Sequence, residues 1–168
     1  MENALSALIV IGVMILSMLG LTERSITSQA QIAQATQAMQ QRQLDRSGTN
    51  LAAIGATTSA LGSSVTLTFQ NTGRVRLINF DRWDVFLAYT DGVGNFHVGW
   101  YANPAQWTSQ IYQTLSPPTS EVFEPGILNS GEYIVVQVSV EPAVGAGTTN
   151  MATVSTPSGI TASTVFTR

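Results

Sequence analysis

With 168 residues, the natural count is one globular domain plus an extension, and a domain of about 110 residues can bury its own core. Charged residues make up 10% of the chain, the net charge is -3 and the seven basic residues are all Arg, so there is no basic stripe for a nucleic-acid partner. Cys is absent, which excludes a disulfide framework and a thiolate metal site.

So little charge, against about 25% in soluble domains, implies that neighbouring molecules cover much of the surface. The chain opens with Ala4 to Leu21, ALSALIVIGVMILSMLGL, which carries no charge and only Ser6 and Ser17 as polar side chains. A membrane span needs roughly twenty such residues, so length alone qualifies it. Glu2 precedes the run, no Lys or Arg lies ahead of it and no small-residue cleavage site follows, so its flanks lack the pattern expected of a secretory signal. The expectation is either a basic leader removed ahead of Met1 or a chain that simply starts there. A helix apolar all round is buried all round, by lipid or by copies of itself.

Thr22, Glu23 and Arg24 lead into a segment rich in Gln, Ala, Ser and Thr that reaches Ser47 without a Pro. These residues predict one continuous helix from about Asn3 to Asp45, within an N-terminal unit of residues 1–47. Ile26, Ala30 and Ala33, then Ala35, Ala38 and Met39, form a narrow stripe of small side chains that lets helices approach closely. The positions expected to pack in such a helical core are Ala4, Leu5, Leu8, Ile9, Ile11, Gly12, Ile15, Leu16, Leu19, Ile26, Ala30 and Ala33.

Residues 48–63 turn to Gly, Ala, Thr and Ser and read as a linker. From residue 64 to residue 168 the period becomes two: Val65, Leu67 and Phe69 alternate with Thr66, Thr68 and Gln70. Asn71-Thr72-Gly73 supplies a turn, with Gly73 free to take a positive φ. Further strands are expected at Arg74 to Asn79, Trp83 to Tyr89, Asn95 to Tyr101 and Gln110 to Leu115, with Asp91-Gly92-Val93-Gly94 as a hairpin turn. Pro117-Pro118 and Glu124-Pro125-Gly126 bracket a connection. Glu132 to Val140, EYIVVQVSV, has the Val and Ile density of a sheet centre, and Met151 to Ser155 and Ile160 to Thr167 complete the set. The fold class is therefore α+β: a long hydrophobic N-terminal helix followed by an all-β, immunoglobulin-like sandwich.

Chemistry-bearing residues are sparse. The single His97 lies in NFHVGW, and a triad or metal site built on it would need carboxylates from elsewhere. Asp81 with Asp84, and Glu121 with Glu124, read as solvated or Arg-paired acids, and Asp91 to Asn95 lacks the acidic ligand count of a calcium loop. No catalytic, metal or cofactor site is expected. Trp83, Trp100, Tyr101, Trp107 and Tyr112 read first as core, while the loop Ala102 to Ser109, with Pro104 and Trp107, is the candidate contact between subunits.

The apolar helix, the VTLTFQNTGRVRL strand-turn-strand, the DRWDVFLAY strand and the terminal VSTPSGITASTVF together resemble archaellins, filament subunits of the archaeal flagellum, over essentially the whole chain. The resemblance implies a helical polymer of identical subunits, helices in its core and sandwiches outside, used for swimming. It also implies insertion in the cytoplasmic membrane before assembly, a prepilin-type peptidase and an archaellum assembly platform as partners, and an extracellular location. Two departures stand out: Leu5 replaces the Glu that many type IV pilins carry, and no Asn begins an N-x-Ser/Thr sequon. A minor stator or envelope-anchor subunit of the archaellum and an adhesive type IV pilin are the alternative roles.

Overall fold

The computed structural model describes residues 2–168, with side chains described at 9–16, 18, 28–44 and 46–168. The chain divides into two compact units, Met1–Gln43 and Leu44–Arg168. Helix α1 spans Glu2–Gly48, a little longer than the sequence predicts. Its residues are good helix formers, and Arg46 in the last turn complements the negative end of the helix dipole. At Gly48 the chain leaves the helix, and the Gly48 carbonyl accepts the amides of Arg74 (2.7 Å) and Val75 (3.2 Å).

The second unit is a sandwich of two antiparallel sheets built from β1 (Leu51–Thr58), β2 (Ser64–Asn71), β3 (Asp84–Thr90), β4 (Phe96–Tyr101), β5 (Trp107–Leu115), β6 (Pro118–Ser120), β7 (Tyr133–Ser139), β8 (Thr149–Ser155) and β9 (Thr161–Thr167). The sheet orders are β1-β2-β7-β5-β6 and β4-β3-β8-β9. Lettered in chain order, with β4 as C′ and β6 as an added edge, these are the ABED and C′CFG sheets of an immunoglobulin-like sandwich. Alternation decides what is buried: Val65, Leu67 and Phe69 of β2 meet Ile134, Val136 and Val138 of β7 in one sheet, opposite Val85, Leu87 and Tyr89 of β3 and Val154 of β8 in the other. Strand β7 pairs on both sides, the central place its Val and Ile content predicts.

Several expectations are corrected. The 48–63 stretch read as a linker contains β1, an edge strand whose LAAIGATT sequence hides its pairing because only Leu51 is buried and a bulge falls between Ala53 and Gly55. Residues 74–79 form no strand: Leu77 makes one isolated bridge to Leu128, and Asn79, at φ 56°, turns the chain into a short 3₁₀ turn, Phe80–Arg82. Gly73 does not take positive φ; it is required because a Cβ there would collide with the backbone of Gly48 and Asn50. Pro118 opens β6, on the sheet edge where a missing donor is tolerated.

Candidate assembly surfaces

The first surface is α1. Every described side chain from Ile9 to Ser47 is exposed, and the apolar ones between Ile9 and Met18 are 55–74% exposed. Of the positions expected to pack in a helical core, Ile9, Ile11, Ile15, Leu16, Ala30 and Ala33 lie on this exposed surface, and a Cβ built on Gly12 would touch nothing. Ala4, Leu5, Leu8, Leu19 and Ile26 lie outside the described side chains, as does much of the Ala4 to Leu21 run. Among the described residues, no helix is long and apolar enough to cross a membrane. The apolar stretch of α1 is thus a large exposed area on a protein with little charge elsewhere, the kind of area that marks an interaction site.

The second surface is on the sandwich. The outer face of the five-stranded sheet is mainly polar, with Thr66, Thr68, Gln110 and Gln137 among its outward residues beside the half-buried Val135 and Tyr133, and its amides bond locally, Gln137 Nε2 to Ser64 Oγ (3.2 Å) and Gln110 Nε2 to Ser120 Oγ (3.2 Å). The outer face of the four-stranded sheet carries an apolar patch, flanked by Thr90, Thr149, Thr153, Ser155 and Ser163. Phe96, Val98 and Trp100 of β4, Phe86 of β3, Met151 of β8 and Val165 of β9 are 40–69% exposed. Register joins them: Val98 pairs with Ala88, Ala88 with Met151 and Met151 with Val165, while Trp100 pairs with Phe86. Trp100 Nε1 donates to Asp84 Oδ1 at 2.8 Å, which tethers its exposed ring to β3.

The sequence reading of the aromatics holds for Trp83, Tyr101 and Trp107, which are buried, and not for Trp100. Trp107 as a subunit contact is corrected. It opens β5 opposite Val138, and its ring is 1% exposed inside the sandwich's own core, beyond reach of a neighbour. Pro104 is exposed in the preceding loop.

The polar groups with acid–base chemistry are committed to structure. Asp91 Oδ1 accepts the amides of Val93 and Asn95, both at 2.9 Å; its Oδ2 accepts Asn95 Nδ2 (3.1 Å) and lies 2.9 Å from His97 Nε2. The His97 hydrogen bond above all holds this carboxyl well below the usual carboxylate range, against the opposing effect of burial. The cluster closes the β3–β4 hairpin, and Tyr89 stacks on the His97 ring. Glu121 braces the exposed Val122-Phe123 tip: its Oε1 accepts the amides of Phe123 (2.7 Å) and Glu124 (3.1 Å), and its Oε2 accepts Gln113 Nε2 (2.7 Å). The Gln113 bond first, then those amides, lower its pKa to about 2. Glu124 accepts Asn129 Nδ2 and lies 3.8 Å from an exposed Arg76. Among the described residues no three His, Asp or Glu side chains are grouped to hold a metal ion.

No protein-family model matches the sequence, and no curated protein matches it. Solved structures do share its fold. The archaeal flagellum of Methanospirillum hungatei strain JF1 aligns over 97% of this chain and 92% of its own, with a TM-score of 0.67 and 14% identity. The archaellum periplasmic stator protein FlaG from Sulfolobus acidocaldarius aligns over 70% of this chain and 99% of its own, with a TM-score of 0.50 and 17% identity. The stator complex of FlaF and FlaG from the same organism aligns over 69% of this chain and 87% of its own, with a TM-score of 0.51 and 16% identity. At these identities the likeness is one of fold.

Proposed function

We propose that this chain is a non-catalytic structural subunit of an extracellular, archaellum-type filament used for swimming. In this reading residues 1–47 pack with their counterparts as the filament core and the sandwich, β1 included, forms the outer layer. The observation that carries it is the extent of the likeness to the archaeal flagellum, 97% of the chain with α1 included, where the stator proteins match only about the sandwich's share. The exposed apolar helix supplies the physical reason, because burying it among sister helices removes its surface from water. Such a contact is head-to-tail and does not close, so it propagates.

Before assembly the same helix would rest in the cytoplasmic membrane, with a prepilin-type peptidase and an assembly platform acting on it. Filaments sheared from cells, imaged by electron microscopy and identified by mass spectrometry of the N-terminal peptide, test the reading. The chain is expected as the major component, and its deletion is expected to abolish swimming. The stator role is supported by the alignment of 70% of this chain with 99% of FlaG, and it predicts the opposite result: a scarce protein retained in the cell envelope. An adhesive pilin would leave swimming intact and remove attachment.

A further inference from the structure

We propose that the outer face of the β4-β3-β8-β9 sheet is a self-association surface, on which the sandwich units of two copies of this chain pack face to face about a two-fold axis. It goes beyond the filament reading and does not rest on it. A polar helical polymer has no internal two-fold, so the pair links copies that do not share one helical lattice.

Three observations choose a second copy as the occupant. The first is area. At roughly 100 Å² each, Phe86, Phe96, Val98, Trp100, Met151 and Val165 offer about 600 Å² per copy, hence about 1,200 Å² for the pair, the size at which specific interfaces begin.

The second is charge. The four strands carry one carboxylate on this face, Asp84, whose Oδ1 is already bonded to Trp100 Nε1. A face with a single charge, at the first residue of β3 and away from the central row, suits its own copy, since that row carries nothing that repels its image across a two-fold. No Arg lies on these strands to attract the anionic head groups of a membrane surface.

The third is shape. Val98, Ala88, Met151 and Val165 run as one paired row across all four strands, so the patch is a sheet surface and not a groove. Sheets meet such surfaces by aligned stacking, about 10 Å apart.

The cysteine-free sequence makes a direct test possible. Ala88→Cys places a thiol at the centre of the row, and Gln137→Cys places one on the polar face of the other sheet. Each full-length variant, in detergent that shelters α1, is treated with a bis-maleimide that reaches about 10 Å. Ala88→Cys is expected to give a covalent dimer and Gln137→Cys a monomer. Adding Val98→Lys is expected to reduce the Ala88→Cys dimer at least tenfold with far-ultraviolet circular dichroism and melting unchanged. Equal cross-linking at the two positions, a ladder of higher oligomers from both, or a dimer indifferent to Val98→Lys would each overturn the proposal.

Discussion

Replacing Leu16 by Ala separates assembly from folding. Leu16 is 70% exposed in the single chain, so in the dispersed protein the substitution touches no packed neighbour and is expected to change stability by less than about 0.5 kcal/mol. In a polymer that buries α1, the same change removes a packed side chain and leaves a cavity, at a cost of about 2–5 kcal/mol. The polymer has only a moderate margin. The exposed apolar side chains between Ile9 and Met18, at about 100 Å² each, present on the order of 800 Å², or about 20 kcal/mol of gross burial at roughly 25 cal/mol per Å². Association costs about 4–15 kcal/mol of this. A loss of 2 kcal/mol corresponds to about a 30-fold rise in the critical concentration. Detergent-solubilised protein is diluted below the micelle threshold at graded concentrations, and the pelleted polymer is measured. A critical concentration raised less than threefold by Leu16→Ala, with the sandwich melting unchanged, would refute burial of α1 in the polymer.

Trp107→Ala is expected to destabilise the sandwich by about 3–5 kcal/mol in urea titration, as for other large buried aromatics. Trp107→Phe should cost well under half of that, because the buried Trp107 Nε1 has no hydrogen-bond partner to lose. Asn71→Ala should cost about 3 kcal/mol, since its buried amide donates to the Val75 (2.9 Å) and Leu128 (3.0 Å) carbonyls while its Oδ1 accepts the Gly73 amide. Glu121, with its pKa lowered from 4.5 to about 2, stabilises the fold fully above its unfolded value and loses that contribution as pH falls through the folded one. Melting curves of wild type and Glu121→Gln should therefore converge between about pH 4.5 and pH 2; a constant separation would remove the role assigned to this carboxylate.

Most of the sandwich is legible in the sequence because its central strands alternate cleanly. Val65, Leu67 and Phe69 announce β2, and Ile134, Val136 and Val138 announce β7, since a one-residue slip would carry each set into water. What the sequence hides is held by non-local partners. β1 has no apolar period and exists because β2 offers it a ladder from Leu51 to Thr58. Arg74 to Asn79 looks as β-prone as β1 does not, yet Asn71 fixes its start through Val75 O, and only Leu77 finds a strand-like partner. Propensity yields in both places to tertiary pairing.

The outer face of β4 is the sharpest case, because the pattern points the wrong way. In FHVGWY the phase of Phe96, Val98 and Trp100 is the more apolar one, and binary patterning alone would turn it inward. The register does the reverse: Tyr89 faces His97, Leu87 faces Gly99 and Val85 faces Tyr101, so the inward set is His97, Gly99 and Tyr101. Leaving Phe96 and Val98 outside forgoes roughly 1.5–3 kcal/mol for each side chain that the other phase would bury. Something must outweigh that loss, and two features of the hairpin do. Asp91 ties the turn to Val93, Asn95 and His97, which fixes the loop length and with it the register. Inside, the Tyr101 ring lies over Gly99, where a Cβ would meet it at 2.9 Å, so the absence of a side chain at Gly99 lets Tyr101 fill the inner face in this register. Three large apolar side chains are therefore held in solvent by a turn built for that register. A protein that spends stability on keeping a face apolar has a use for the face, and only a partner surface returns what folding the single chain leaves unburied.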